Sequence, residues 1–293
     1  MTVGPELFYI MLQVLEETRF FSASLYVPTS ILGIETLGYE LAKQLLEMEG
    51  RFPDVVLITH AGGGNVTGTA RGLIKAGSTQ TAVVGVSVDL RGLHMASDSD
   101  FNRKSFTTGH SGFGIPFLTW PDRTDVPRNC ARGLRYLDRY VLVSQGEVFY
   151  TTELLAKLEG MERGPAGNTS LAGALAVARE LDRDQILVVQ ETEYTAAGKM
   201  PSSQLTFAKE NGIKVTRGNP RENTPGKSIV IPERVDQLRV EDFSMDKIRH
   251  SYIKNAIKAA GDYELTEADE RFLAEDSKSS LDQVREVIQS SNH

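Results

Sequence analysis

The sequence predicts an α/β protein built around a parallel β-sheet. Short apolar, β-branched runs alternate with amphipathic stretches of helical spacing from residue 33 to residue 216, which is the pattern of repeated strand–helix units. The runs are apolar at successive positions, as in strands that helices cover on both faces. The chain has 293 residues, of which 40% are hydrophobic and 24% charged, so it can form a substantial soluble core.

The predicted elements follow from hydrophobic periodicity and from helix-start signals. Strands are predicted over residues 54–59, 81–88, 140–144, 186–190 and 213–216. Helices are predicted over residues 5–18, 33–50, 66–76, 147–159, 171–181 and 203–211. Between them, residues 91–135 are rich in Gly, Ser, Thr, Asn, Asp and Pro. This segment is also rich in aromatic side chains, which favours an ordered, functional loop.

The pattern changes near residue 238, where three helical stretches joined by short polar segments begin. They cover Ser244–Ala260, Glu267–Glu275 and Leu281–Ser290, and Thr266 with Asp269 has the spacing of a helix N-cap. We therefore expect a core domain over residues 1–237 and a helical C-terminal appendage over residues 238–293. Docking to a partner subunit is one hypothesis for this appendage.

Composition excludes several classes of function. The formal net charge is −7 and there is no basic block, which argues against nucleic acid as the main partner. The single cysteine, Cys130, cannot form an intrachain disulfide, and no apolar run reaches the roughly 18 residues of a membrane span. No signal peptide is evident, so we expect a cytoplasmic protein that does not act at a membrane. No His, Cys, Asp or Glu set has metal-ligand spacing, so no metal site is predicted.

A glycine-rich turn between a predicted strand and a predicted helix is the main candidate binding element. Gly62, Gly63, Gly64 and Asn65 follow the run 54–59. Glycine permits positive φ and a close approach of the backbone, and the start of the helix adds N–H donors and a positive dipole end. The turn therefore predicts a phosphate cradle. The spacing is not Gly-x-Gly-x-x-Gly, so a dinucleotide is disfavoured, and an ordinary strand-to-helix turn is the alternative.

Several segments in order resemble the pyridoxal-phosphate enzymes of the tryptophan-synthase β fold, fold type II. The matching segments are Gly33–Glu40, Ala61–Gly68, Val83–Val88, Gly109–Pro116, Tyr140–Val148 and Gly164–Ala172. The resemblance implies the parallel-sheet large domain of such an enzyme, with the cradle holding the phosphate of pyridoxal 5′-phosphate. It also implies that Thr192, or its neighbour Thr195, contacts the pyridine nitrogen.

Histidines and basic residues supply further candidates. His110 lies between glycines in the loop that this resemblance places at the cofactor pocket. It could polarise a substrate carbonyl or transfer a proton near neutral pH, or it could be satisfied by backbone. His60 and His94 are weaker candidates of the same kind. CoA, which the similarity described next implies as a co-substrate, carries phosphates, and the hypothesis that this chain binds them rests on the basic residues Arg103, Lys104, Arg123, Arg128, Arg132 and Arg135. The alternative is a solvated loop with scattered charge.

Within that superfamily the chain is similar to the β subunits of 2-amino-4-oxopentanoate (2-amino-4-ketopentanoate) thiolases. The segments that carry this similarity are Val3–Tyr9, Glu35–Leu41, Gly92–Ser97, Phe101–His110, Gly112–Pro116, Trp120–Arg123, Arg163–Ser170 and Gln190–Thr195. The similarity implies thiolytic cleavage of 2-amino-4-oxopentanoate by CoA to acetyl-CoA and alanine, in ornithine catabolism. It implies a small α subunit as partner.

The chain departs from the family because neither the Ser-x-Lys motif, whose lysine forms the Schiff base, nor the Ser-Gly-Asn loop is found in it. Lys104 does not occupy the place of the Schiff-base lysine in the order of the family's motifs along the chain. We therefore expect this chain to match the C-terminal two thirds of the subunit, without the N-terminal small domain and its lysine, and to need that missing portion as a partner. The alternatives are another fold type II lyase, threonine-synthase-like or dehydratase-like, or a non-catalytic remnant.

Overall fold

A computed structural model describes residues 13–20, 28–60, 63–89, 104–105, 110–111, 133–191, 200–224 and 227–291. Residues 13–18 are helical. The helices that follow are α1 (Pro28–Glu49), α2 (Gly64–Lys75), α3 (Gln145–Glu159), α4 (Thr169–Val177), α5 (Pro201–Glu210), α6 (Met245–Ala260), α7 (Glu267–Ser277) and α8 (Leu281–Ser291). The strands are β1 (Val55–Thr59), β2 (Ala82–Val88), β3 (Lys104–Ser105), β4 (His110–Ser111), β5 (Arg139–Val143), β6 (Leu187–Gln190), β7 (Lys214–Arg217), β8 (Ser228–Ile231) and β9 (Glu241–Asp242).

Five of these strands form the central sheet, in the order β6-β1-β2-β5-β9. The first four are parallel to one another, and β9 pairs with β5 in the antiparallel direction. The predicted parallel α/β sheet is therefore confirmed. Since parallel strands end at the same edge of a sheet, the residues that follow β1 and β6 are brought side by side.

Helices cover both faces of this sheet, which explains why its strands are apolar at successive positions. A Cβ atom built on Gly173 of α4 would lie 2.9 Å from the side chain of Val86 and 3.5 Å from that of Leu57. These two side chains therefore define the face that α4 covers. Strand side chains alternate between faces, so Val56 and Ile58 point to the opposite face, where α2 packs and α1 lies behind it.

A second, smaller sheet pairs β7 with β8 in parallel. Its core contains Phe149 of α3, Ala208 of α5, and Ile229 and Ile231 of β8. The start of α3 lies directly against β8, because a Cβ atom on Gly146 would be 1.8 Å from the carbonyl oxygen of Val230.

The last three helices form a cluster of their own around Ile253, Leu273 and Val284. They are also joined to the main body, because β9 lies on the central sheet and Ile248 of α6 belongs to the main core. The domain division after residue 237 stays a prediction.

Two general properties of the described part bear on function. None of its helices combines the length and apolar content that a bilayer crossing requires. Within the same residues, no group of three or more His, Cys, Asp or Glu side chains is arranged to hold a metal ion.

Candidate functional site

The glycine-rich turn lies where β1 ends and α2 begins. Gly63 is the N-cap of α2, with φ 78° and ψ −11°, a left-handed conformation that glycine adopts without steric penalty. Its carbonyl oxygen accepts hydrogen bonds from the backbone N–H of Thr67 at 3.0 Å and from the Thr67 hydroxyl at 2.7 Å. The turn is thereby fixed to the helix that it starts, and the helix begins at Gly64.

The start of α2 has no side-chain cap, a feature that it shares with α4 and α5, whereas α3 and α7 are capped. The N-cap side chains Ser144 and Thr266 accept hydrogen bonds from the first turns of α3 and α7. Gly63 has no side chain to do so, and the first turn of α2 has no acidic residue. The first N–H groups of a helix have no partner within the helix, so those of α2, with its positive dipole end, can receive an anion.

A buried polar cluster supports the strand end that leads into this turn. His60, directly after β1, is only 2% exposed. The Ser87 hydroxyl donates to the His60 carbonyl oxygen at 2.5 Å and also lies 2.5 Å from the Tyr140 hydroxyl oxygen. The His60 Nδ1 atom lies 3.2 Å from the same Tyr140 oxygen. His60 thus ties β1 to β2 and β5, which favours a structural role for this weaker of the histidine candidates.

The neighbouring strand β6 is tied to the same edge by hydrogen bonds on both of its faces. On one face, the Thr69 hydroxyl of α2 donates to Gln190 Oε1 at 2.8 Å. On the other, the Ser170 hydroxyl of α4 donates to the Gln190 carbonyl oxygen at 2.9 Å, and the Ser170 backbone N–H donates to Thr59 Oγ1 at 3.0 Å. The start of α4 is therefore fixed to the ends of β1 and β6.

Unsatisfied polar atoms surround this junction. Asn168 Oδ1, Thr169 Oγ1 and both carboxylate oxygens of Glu191 are buried and have no hydrogen-bond partner among the described residues. Burial raises the pKa of Glu191 to about 7, although the positive charge of Arg163 acts in the opposite direction. Sequence reasoning did not select these residues individually, although all three lie in segments that carry the family resemblance.

The structure brings some of the predicted site residues together and leaves others outside its description. Gly63, Gly64 and Asn65 lie together at the start of α2. His110 belongs to β4, where its backbone pairs with Ser105 of β3; its side chain is not described. Residues outside the description include Gly62, Thr192, Thr195, His94, Cys130, Arg103, Arg123, Arg128 and Arg132.

Two of the basic residues considered for CoA binding lie within the described part. Lys104 belongs to β3, with its backbone paired to Ser111 of β4, and its side chain is not described. Arg135 makes ion pairs with Glu275 at 3.2 Å and Asp276 at 3.5 Å, both on α7. A CoA phosphate that binds the Arg135 guanidinium would therefore have to compete with these two carboxylates.

Comparison with known proteins identifies the family. The family described as "Pyridoxal-phosphate dependent enzyme" matches residues 8–191. The chain belongs to this family. Membership, together with the mainly parallel sheet, confirms the predicted α/β architecture of a fold type II enzyme, and indicates pyridoxal phosphate as the cofactor.

Two curated relatives are named 2-amino-4-ketopentanoate thiolase beta subunit. One, from an unknown prokaryotic organism, is 63% identical over 98% of this chain and 61% of its own length. The other, from Acetoanaerobium sticklandii, is 58% identical over the same shares. The predicted similarity to these β subunits is thus confirmed, and the chain spans about three fifths of the length of the curated relatives it matches.

Among solved structures, the chain is similar to the processed form of threonine deaminase isoform 2 from Solanum lycopersicum. The identity is 18%, the TM-score is 0.49, and the match covers 68% of this chain and 55% of the other.

The donors of the cradle fit the phosphate group of the family's cofactor. A phosphate monoester carries between one and two negative charges near neutral pH and has three acceptor oxygens. The uncapped start of α2 offers N–H donors, a positive dipole end and no competing carboxylate. The fit to a phosphate therefore rests on the chemistry of these N–H donors at the start of α2.

Proposed function

We propose that this chain takes part, as a β subunit or a portion of one, in the thiolytic cleavage of 2-amino-4-oxopentanoate by CoA. The CoA sulfur forms a bond to C4 of the substrate while the C3–C4 bond breaks. C3 receives a proton, and the products are acetyl-CoA and alanine. The single observation that best supports a phosphate-bearing cofactor here is the uncapped, acid-free start of α2 at the carboxyl edge of the sheet.

The chain's own residues would anchor and orient the reacting groups. Pyridoxal phosphate, when bound, supplies an electron sink for the negative charge that develops on the substrate. The N–H groups at Gly64 and Asn65 would hold its phosphate, and Gly63 would allow close approach. The hydrogen bonds of His60 with Ser87 and Tyr140 would keep this anchor fixed, which is how a site acquires catalytic geometry in advance of binding.

Other components are part of the same proposal. The relatives are named as beta subunits, which implies an alpha subunit. We propose that this subunit, CoA as co-substrate and a Schiff-base lysine outside the present chain complete the active site. Thr192 remains the proposed contact of the pyridine nitrogen, and His110 a proposed proton donor or carbonyl-polarising group.

The reaction can be tested on the reconstituted assembly. The chain is co-purified with the α subunit and with the portion of the β subunit that carries the Ser-x-Lys motif. It is then given 2-amino-4-oxopentanoate with and without CoA, and acetyl-CoA and alanine are quantified by mass spectrometry. We expect equal amounts of both products, formed only when CoA is present.

Serine and threonine serve as control substrates for the alternative functions. CoA-independent release of ammonia and a 2-oxo acid from either one, without thiolysis, would contradict the proposal and favour a dehydratase-like lyase. Failure of the reconstituted assembly to process any of these substrates would favour a non-catalytic remnant.

A further inference from the structure

A cavity of about 340 Å³ lies at the amino end of β2. Its lining comes from the second half of α2, the turn that leads into β2, the segment before β5 and the end of α7. Because β1 and β2 are parallel and in register, the amino end of β2 lies at the sheet edge opposite to the cradle. The seven residues of β2 span about 20 Å, and cavities of this volume hold small ligands. The cavity is therefore a candidate binding site that is separate from the phosphate cradle.

The charged residues that line the cavity are two cations, Arg135 and Lys278, and one carboxylate, Asp138, so their net charge is +1. Lys278 Nζ lies 2.5 Å from Asp138 Oδ1. The other Asp138 oxygen accepts a hydrogen bond from the Val83 backbone N–H at 2.9 Å. An ammonium has three N–H donors and a guanidinium has five, so Asp138 alone does not use them up.

Arg135 contributes a buried donor that lacks an acceptor. Its Nε atom has no hydrogen-bond partner among the described residues, because the Asp276 oxygen that faces it lies 3.5 Å away. Its Nη2 atom lies 3.2 Å from Glu275, whose side chain is 74% exposed, and ion pairs with exposed groups are weak. Buried donors in native proteins nearly always have a partner. The exception at Arg135 therefore indicates that an anionic ligand supplies the acceptor.

Lys278 has an unfavourable backbone conformation at the same cavity. It is the C-cap residue of α7, with φ 55° and ψ 44°, a left-handed conformation in which glycine is the usual residue. Its side chain reaches from the end of α7 to Asp138, just before β5. Strained residues of this kind are common where a ligand is held, and this one supplies the second cation of the lining.

Part of the lining is apolar, on the side of α2. Ala70, Leu73 and Ile74 belong to it, and Ile74 is 50% exposed. A ligand that covers Ile74 would remove apolar surface from water, which favours binding. A single negative charge matches the net charge of the lining, whereas a dianion such as phosphate would be repelled more strongly by Asp138. These properties select a monoanion with an apolar body.

We propose that this cavity binds a small aliphatic monocarboxylate. Arg135 and Lys278 hold its carboxylate, and Leu73 and Ile74 contact its aliphatic body. The ligand touches both the core and the end of α7, so it joins the last three helices to the sheet. This inference goes beyond the proposed function, because the cavity takes no part in holding the cofactor or the reacting groups.

4-Methylpentanoate, 4-methylpentanamide and acetate provide the test. The amide lacks the negative charge, and acetate lacks the aliphatic body. Binding of each compound to the full chain is measured by titration calorimetry in a buffer free of carboxylates and phosphate. We expect 4-methylpentanoate to bind at least about tenfold more tightly than either of the others, because each of them loses the charge-assisted hydrogen bonds or the apolar burial.

Variants of the lining locate the bound carboxylate. We expect Arg135→Gln to weaken 4-methylpentanoate binding by about tenfold to hundredfold, as for the loss of a charged donor. Lys278→Gly should weaken it by at least about tenfold and remain folded, because glycine adopts the left-handed conformation without strain. Ile74→Ala should reduce the preference over acetate. Arg271→Gln changes an exposed residue of α7 outside the lining and should leave binding intact, and each variant's urea midpoint reports whether it is folded.

Equal binding of 4-methylpentanoate and its amide would overturn the inference, as would a lack of measurable 4-methylpentanoate binding. Tighter binding of inorganic phosphate than of 4-methylpentanoate would also overturn it. An unchanged affinity in folded Arg135→Gln or folded Lys278→Gly would show that the carboxylate binds elsewhere, with the same consequence. The proposed function is judged separately, from thiolysis and from binding of the phosphorylated cofactor, and neither measurement depends on this cavity.

Discussion

The close contact between α1 and α2 gives a direct test of how the cradle helix is held. Gly72 of α2 lies against the backbone of α1. A Cβ atom there would be 2.1 Å from the Glu35 carbonyl oxygen, 2.6 Å from the Tyr39 nitrogen and 2.8 Å from the Gly38 Cα atom. All three are backbone atoms, so a side-chain movement cannot relieve the clash. We therefore expect Gly72→Ala to force the two helices apart.

The change in the free energy of unfolding for Gly72→Ala is the balance of two opposing effects. Alanine favours a helix interior over glycine by about 1 kcal/mol, whereas overpacking a core costs about 1–3 kcal/mol and occasionally more. Separation of the helices would also stretch the pairing of the buried Glu35 carboxylate with Arg71, whose Nε lies 2.6 Å away, and with Lys75. We expect a net loss of roughly 2 kcal/mol from the free energy of unfolding.

Gly33→Ala is the matched control, because it makes the same change within α1 where nothing lies within 4 Å of the new Cβ atom. It should stabilise the protein by about 1 kcal/mol. Urea unfolding followed by circular dichroism gives both values. A Gly72→Ala protein as stable as the parent, or two variants that shift in the same direction, would refute the packing argument.

Three further predictions concern single residues. Because burial raises the folded-state pKa of Glu191 from 4.5 to about 7, the folded chain holds this proton more tightly and stability falls as pH rises between these values. Glu191→Gln should therefore gain up to about 2–3 kcal/mol at about pH 8 and little at about pH 4.5, measured by urea unfolding. Ser144→Ala removes the cap of α3 and should cost about 1 kcal/mol, seen as a lower melting temperature, while an unchanged value would show that the cap is dispensable. Tyr140→Phe loses the hydroxyl near Ser87 and His60 and should cost about 1–3 kcal/mol; a neutral result would remove the proposed support of the cradle strand.

The sequence predicted the central strands well because helices bury both of their faces and leave an apolar signature. It missed β8, a four-residue run, Ser228–Ile231, that ends just before Pro232. It also missed β9, because Glu241–Asp242 is an exposed edge pair with no apolar pattern. The start of α1 was placed at residue 33 rather than at Pro28, since residues 28–32 lack a clear polar face.

The strand-to-helix turn at Gly63 was predictable because consecutive glycines at such a position are a local signal of positive φ and close backbone approach. The cluster at α4 was not, because Asn168 and Thr169 are ordinary residues for a helix start and nothing local shows that they are buried. Their burial depends on the contacts of Ser170 with Thr59 and Gln190, which lie 111 and 20 residues away in the sequence. Likewise, the pairing of Arg71 with Glu35 arises only when α1 packs on α2.

The central claim is that the start of α2 holds a phosphate, and Asn65→Asp tests it most directly. This nearly isosteric change adds a negative charge in the first turn of α2, which should stabilise the helix by about 0.3–1 kcal/mol. The same charge should repel a phosphate by about 1–3 kcal/mol. Asn219→Asp makes the same substitution at the exposed N-cap of a three-residue 3₁₀ helix, Pro220–Glu222, and serves as the control.

The measurement is the ratio of the dissociation constants of pyridoxamine 5′-phosphate and pyridoxamine, in phosphate-free buffer. These compounds lack an aldehyde, so surface lysines cannot capture them. We predict that the parent chain and Asn219→Asp prefer the phosphorylated compound, and that Asn65→Asp loses about tenfold to hundredfold of that preference without loss of stability. A parent chain that does not discriminate between the two compounds, or a folded Asn65→Asp chain with an unchanged ratio, would contradict the account.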